Sequence, residues 1–112
     1  MDKQKFSVHT NKGKVRVQLE RKPGYCITKS GQYGGIKVTA LVLNNKNQAA
    51  YGEAVCVMGD DYTFAEGAKR ALAKALSVKI VVNGEELDYV SYETRQLIWK
   101  EFLRFFPPEK KQ

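Results

Sequence analysis

The chain is poor in the residues that most enzyme and metal chemistry requires. His9 is its one histidine, and Cys26 and Cys56 are its two cysteines. They lack C-x-x-C spacing and have no second histidine nearby, so no metal site is expected. A Walker loop and a G-x-S-x-G elbow are also missing. His9 falls on the polar side of an alternating segment next to a turn, where a solvated histidine is the ordinary reading. Asp60 and Asp61 suit a helix start, and Glu85 and Glu86 follow a turn. The expectation is a non-catalytic protein without cofactor. No apolar run approaches the roughly 20 residues of a membrane-spanning helix. The N-terminal MDKQKFSVH has no apolar signal core. A cytoplasmic chain is therefore expected, making no contact with membrane and keeping both thiols reduced.

Positive charge is in excess. Nineteen Lys and Arg stand against 12 Asp and Glu, a net charge of +7. Such a balance favours anionic partners: nucleotides, nucleic acid or an acidic protein face. With 43% hydrophobic residues, the composition is that of a globular protein. Residues 1–108 are expected to form a single α+β domain, with 109–112 a solvated tail.

The pattern along the chain supports that class. Lys5–Thr10 and Lys14–Glu20 alternate, with Phe6, Val8, Val15, Val17 and Leu19 on one face, and a three-residue turn at Asn11-Lys12-Gly13 joins them. Ile36–Leu43 and Ala49–Met58 read as central strands covered on two faces, with a turn over 44–47. Thr63 and Glu66 have capping-box spacing. Phe64, Ala68, Ala71, Leu72 and Ala75 then recur at helical spacing, and so small a stripe lets a helix lie close to a sheet. Asn83-Gly84 between β-rich runs predicts a short hairpin, placed apart from the main sheet. Ser91 caps a helix over 92–106, which Pro107 and Pro108 stop. The fold expected is an antiparallel sheet of about four strands with one packed helix, then a short hairpin and an apolar C-terminal helix.

The stretch from Tyr51 to Leu76 carries a family resemblance. Gly52, Ala54 and Cys56, then Asp61 with Tyr62 and Phe64 near the aromatic position, then Gly67, Ala71 and Ala75, resemble a G-x-A-x-C, D-x-F, G, A-x-x-x-A pattern of small phage and prophage proteins. Met58-Gly59 stand where that pattern often has proline. In size and layout the chain resembles the Thoeris anti-defence group, which traps cyclic ADP-ribose signals. The resemblance implies a counter-defence protein of the infected host's cytoplasm that sequesters a small nucleotide signal. The alternative is a protein inhibitor of a host defence complex, like an anti-CRISPR.

Three candidate surfaces follow. The segment Arg21–Gly35 holds glycines, tyrosines and cations. Read as a Gly-rich loop, it offers Arg21, Lys22 and Lys29 for phosphate charge, Tyr25 and Tyr33 for stacking, and Gly34 for close backbone approach. Arg95 is added because the start of the last helix can reach a pocket beside the Asn83-Gly84 hairpin. Lys69, Arg70 and Lys74 form a basic face on the first helix, which is similar to the closing part of a double-stranded-RNA-binding domain. That domain begins with a helix and this chain begins with strands, so a nucleic-acid-binding module ranks third. Finally, Trp99, Phe102, Leu103 and Phe106 crowd the last helix with apolar surface, which predicts a homo-oligomer interface.

Overall fold

The alternating N-terminus folds as its pattern requires. In the computed structural model, which describes residues 3–28, 31–44, 46, 48–57 and 64–107 (for 23–28, 31–36, 56 and 57 the backbone), β1 (Lys3–Thr10) and β2 (Gly13–Thr28) pair antiparallel. Thr10 pairs with Gly13, so the turn is Asn11-Lys12, a residue shorter than expected. Gly13 takes a φ of 128°, which favours glycine, and Thr10 Oγ1 donates to its carbonyl at 2.7 Å. Two further strands, β3 (Gly31–Leu43) and β4 (Ala49–Val57), complete an antiparallel meander in the order β1-β2-β3-β4. Helix α1 (Phe64–Leu76) packs on β3 and β4. A separate two-stranded sheet follows, β5 (Lys79–Val82) with β6 (Glu85–Asp88). Helix α2 (Tyr92–Phe105) then packs on β1. The architecture is α+β, with the elements and order that the sequence predicts.

Both helices cover one sheet face, where Phe6, Val8, Val15, Val17, Leu19, Val38, Ala40, Val42, Ala50 and Ala54 join helical residues in one core. The alanine stripe works as expected: Ala68, Ala71, Leu72 and Ala75 are fully buried. Gly52 completes the fit. A Cβ there would meet Ala71 O at 2.2 Å and Ala75 N at 2.7 Å, so α1 lies on β4 closer than any side chain permits.

Two local expectations are corrected. The segment from Arg21 to Gly35 is no loop over most of its length. It is the ladder of β2 and β3, running from Arg21 opposite Val38 to Thr28 opposite Gly31. Backbone hydrogen bonds hold such a ladder without side-chain alternation, which is why the pattern hides it. Pro23 is tolerated because β1 ends where Lys3 meets Glu20, leaving β2 an edge beyond that point. Lys29 lies outside the described residues, as do Asp60, Asp61, the Thr63 capping position and the tail 109–112. The second correction concerns β3 and β4. Among the described residues Val38, Ala40, Val42, Ala50 and Ala54 are buried on the helix side, and β4 ends the strand order. Tyr51 (52%) and Val55 (44%) are exposed on the other face. The β-rich run of β4 that imitated a strand covered on two faces is open at these positions.

Candidate ligand-binding cleft

A cleft of about 650 Å³ opens at the turn end of the sheet. Four segments build it. The β1–β2 turn brings His9, Thr10, Asn11 and Lys12, and the β3–β4 turn brings Asn44, Lys46 and Gln48. The hairpin contributes Ile80, Leu87 and Asp88, and the start of α2 contributes Ser91, Glu93, Thr94 and Leu97. The volume is in the range of small-molecule sites.

Tyr89 and Asn44 hold these segments together. The buried Tyr89 hydroxyl donates toward the carbonyls of Val42 (2.8 Å) and Gln48, and accepts from the Asn44 N–H at 3.2 Å. Asn44 Oδ1 accepts from the backbone of Lys46 and of Gln48, each at 2.9 Å. The β3–β4 turn is thereby fixed to the segment linking hairpin and helix. Burial pushes the Tyr89 phenol above its ordinary value, against the lowering effect of its backbone hydrogen bonds.

The helix start is capped as predicted. Ser91 Oγ accepts from Thr94 N at 3.2 Å and Ser91 O from Arg95 N at 2.9 Å. The backbone N–H groups of Tyr92 and Glu93 precede the helical ladder and face solvent or a ligand. Charge is divided across the cleft. His9, Lys12 and Lys46 stand on the turn wall, and Asp88 and Glu93 on the hairpin and helix wall. Asp88 is bonded to Lys79 and lies 3.8 Å from Arg95. The Lys79 hydrogen bond and charge hold its carboxyl below the ordinary value. Its charge is therefore largely answered, and Ile80, Leu87 and Leu97 make the same wall partly apolar.

The residues singled out from sequence are not gathered in one place. Arg21 and Lys22 are exposed on β2, and Tyr25, opposite Gly34, and Tyr33 stand farther along the ladder, away from the cleft. Arg95 does reach the hairpin, through Asp88, and its guanidinium lies 5.9 Å from the centre of the Tyr92 ring. It stands beside the cleft and does not line it. Lys69, Arg70 and Lys74 are exposed on α1, and Lys74 Nζ donates to Glu53 O at 2.9 Å on the β4 edge. Phe102 (3% exposed) belongs to the core, and Trp99 and Phe106 pack against it. That leaves Leu103 (48%) as the exposed member of the four aromatic and aliphatic residues assigned to an interface. Their crowding reflects the aromatic cluster of Trp99, Phe102, Phe106 and Phe64, with ring centres 4.8 to 5.5 Å apart. The sequence does not place Lys46, Asn44 or Tyr89 at a ligand site. Asn44 sat in a segment recognised only as a turn, Lys46 was grouped with Lys37 and the basic face of the first helix, and Tyr89 passed as a strand residue.

Among the described residues, no group of three His, Cys, Asp or Glu is placed to hold a metal ion. Among the same residues, no helix is long and apolar enough to cross a membrane. The fold and cleft define the class: a four-stranded antiparallel meander under two helices, with a ligand-sized opening at its turn end. No family model, curated protein or solved structure matches the chain.

Proposed function

We propose that this chain is a non-catalytic protein that binds and sequesters a small anionic ligand of the nucleotide class. The observation that carries the reading is the divided cleft. Cationic Lys12 and Lys46 face a wall of Ile80, Leu87 and Leu97, which also carries Asp88 and Glu93, across about 650 Å³. Phosphate oxygens suit the cations and the α2 start; a base or ribose suits the apolar wall. The resemblance to phage counter-defence proteins adds the biological setting, capture of a cyclic nucleotide or cyclic ADP-ribose signal in the cytoplasm of an infected cell. A second reading, inhibition of a host defence protein, is supported by exposed apolar residues outside the cleft, Val81 (68%) and Leu103. Leu103 also supports a homo-oligomer, which light scattering at micromolar concentration tests; a monomer mass rejects it.

Calorimetry with a panel of cyclic nucleotides and cyclic ADP-ribose isomers tests the function. Binding that weakens with added salt is expected. Lys46→Ala should cost about 1.5–3 kcal/mol, the worth of a hydrogen bond to a charged group, or about ten- to hundredfold in affinity. Failure of every member of the panel would reject the nucleotide reading.

A further inference from the structure

The sheet face turned away from the helices is a second surface, independent of the cleft. Pairing register fixes its layout. Lys5 stands opposite Gln18, Gln18 opposite Leu41 and Leu41 opposite Tyr51. In the next row Ser7, Arg16, Leu43 and Ala49 line up. From the turn end to the Tyr51 row, the β1–β2 half carries Lys5, Lys14 and Arg16 and the β3–β4 half Leu41, Leu43 and Tyr51; Glu20, Thr39 and Glu53 form the next row. A trough of about 440 Å³ runs between the two halves, lined by Lys5, Lys14, Arg16, Leu41 and Leu43.

The charge of the three cations beside the trough is unanswered. Lys5, Lys14 and Arg16 make no ion pair among the described residues. Glu53, on the far strand, is engaged by Lys37 at 3.6 Å and by the Tyr51 hydroxyl at 3.1 Å. That hydroxyl bond tethers the ring on the open face with half its surface exposed.

We infer that this open face binds single-stranded nucleic acid, its phosphates along the β1–β2 cations and its bases on Leu41, Leu43 and Tyr51. The geometry favours this occupant over the others. Lys14 and Arg16 are two residues apart on β2, about 7 Å along the strand. Charges set out along a line suit a chain of phosphates, where a lone phosphate needs donors that converge. From β2 to β4 is about 10 Å at about 4.8 Å per strand step, so charge and stacking surface run side by side, as backbone and bases do in a single strand. A duplex hides its base faces and cannot use Tyr51. A second copy laid face to face would bring the cations of both copies into one interface.

Fluorescence anisotropy of the full chain with a labelled oligo(dT) or oligo(U) of about 12 nucleotides tests the inference. Neutralising about three phosphates predicts a loss of about 20-fold in affinity between about 50 and about 200 mM salt. Tyr51→Ala should weaken binding about 5- to 150-fold, the cost of a lost stacking platform. Arg16→Glu should weaken it and flatten the salt dependence. Both positions are exposed, and circular dichroism checks that the variants are folded. Lys46→Ala, in the cleft, should leave oligonucleotide affinity unchanged. Several results overturn the inference: no binding at low salt, wild-type affinity in both face variants, or loss of binding in Lys46→Ala alone. Competition by duplex DNA or polyglutamate as effective as by the single strand does so too.

Discussion

Gly52 shows how much one hydrogen atom can decide. Its missing side chain is what lets the Ala71–Ala75 turn of α1 sit on β4. Gly52→Ala must push the helix away, and overpacking of this kind costs about 1–3 kcal/mol. A lowered urea midpoint with an unchanged slope is the expected result. The alanine stripe made the close approach of α1 legible in the sequence, whereas Gly52, a strand residue, stood only in the family pattern and its place under the helix was not legible. Tyr89 was illegible by the same means, since its partners Val42, Asn44 and Gln48 lie far off in the chain. Tyr89→Phe removes the hydroxyl from two carbonyls and an N–H, and should destabilise by about 1–3 kcal/mol. Its phenol is raised above the ordinary 10.0. The contribution is therefore full below pH about 10, where the unfolded phenol ionises, and is lost as pH rises through the folded value. Denaturation at alkaline pH should show a steeper loss of stability in wild type than in Tyr89→Phe.

At the scale of elements, the hairpin and the β2–β3 ladder teach opposite lessons. The β5–β6 hairpin was legible because its turn is chemically specific: Asn83 and Gly84 take φ of 53° and 82°, the paired positive values of a type I′ turn. The ladder beyond Glu20 was illegible because its sequence, RKPGYCIT paired with GQYGGIKV, carries no apolar alternation to read. An isolated two-stranded sheet is marginal in water, and what ties this one to the body is electrostatic in part. Asp88 bonds Lys79 across the hairpin and faces Arg95 of α2. Its carboxyl is held below its unfolded value of 3.8. The stabilisation is thus present above pH 3.8 and is lost as pH falls through the lower, folded value. Ile80 and Leu87 are a hydrogen-bonded pair, in the alternation set by Tyr89 N donating to Val78 O; their amides should lose exchange protection over that acidic window, and Asp88→Asn should show the loss at neutral pH already.

For the whole molecule, the long sheet sets distances that no side chain can bridge. Cys26 on β2 is opposite Tyr33, and Cys56 on β4 is opposite Ile36. Two strand steps and a three-residue offset separate their Cα atoms by about 14 Å, beyond the roughly 7 Å limit of a disulfide. Denatured, unreduced protein should titrate two free thiols per chain. The same geometry separates the cleft from the Arg21–Gly35 residues that the sequence offers as ligand contacts. The cleft lies by the turn that follows Leu43, whereas Tyr33 and Gly34 begin β3, and the path between them is about 30 Å at about 3.4 Å per residue. A nucleotide seated on Lys46 in one chain cannot touch Arg21, Tyr25 or Tyr33 of that chain. In a monomeric preparation Arg21→Ala and Tyr33→Ala should therefore leave nucleotide affinity unchanged, while Lys46→Ala lowers it at least tenfold, the lower bound for a lost hydrogen bond to a charged group. If the ladder variants weaken binding instead, the ligand sits at the far end of the sheet, or the ladder of a second copy completes the cleft. Mixing the two variant types separates these cases. Hybrid oligomers that recover wild-type sites would show that the two surfaces meet between chains. No recovery would leave the ladder as the site and remove the cleft from it.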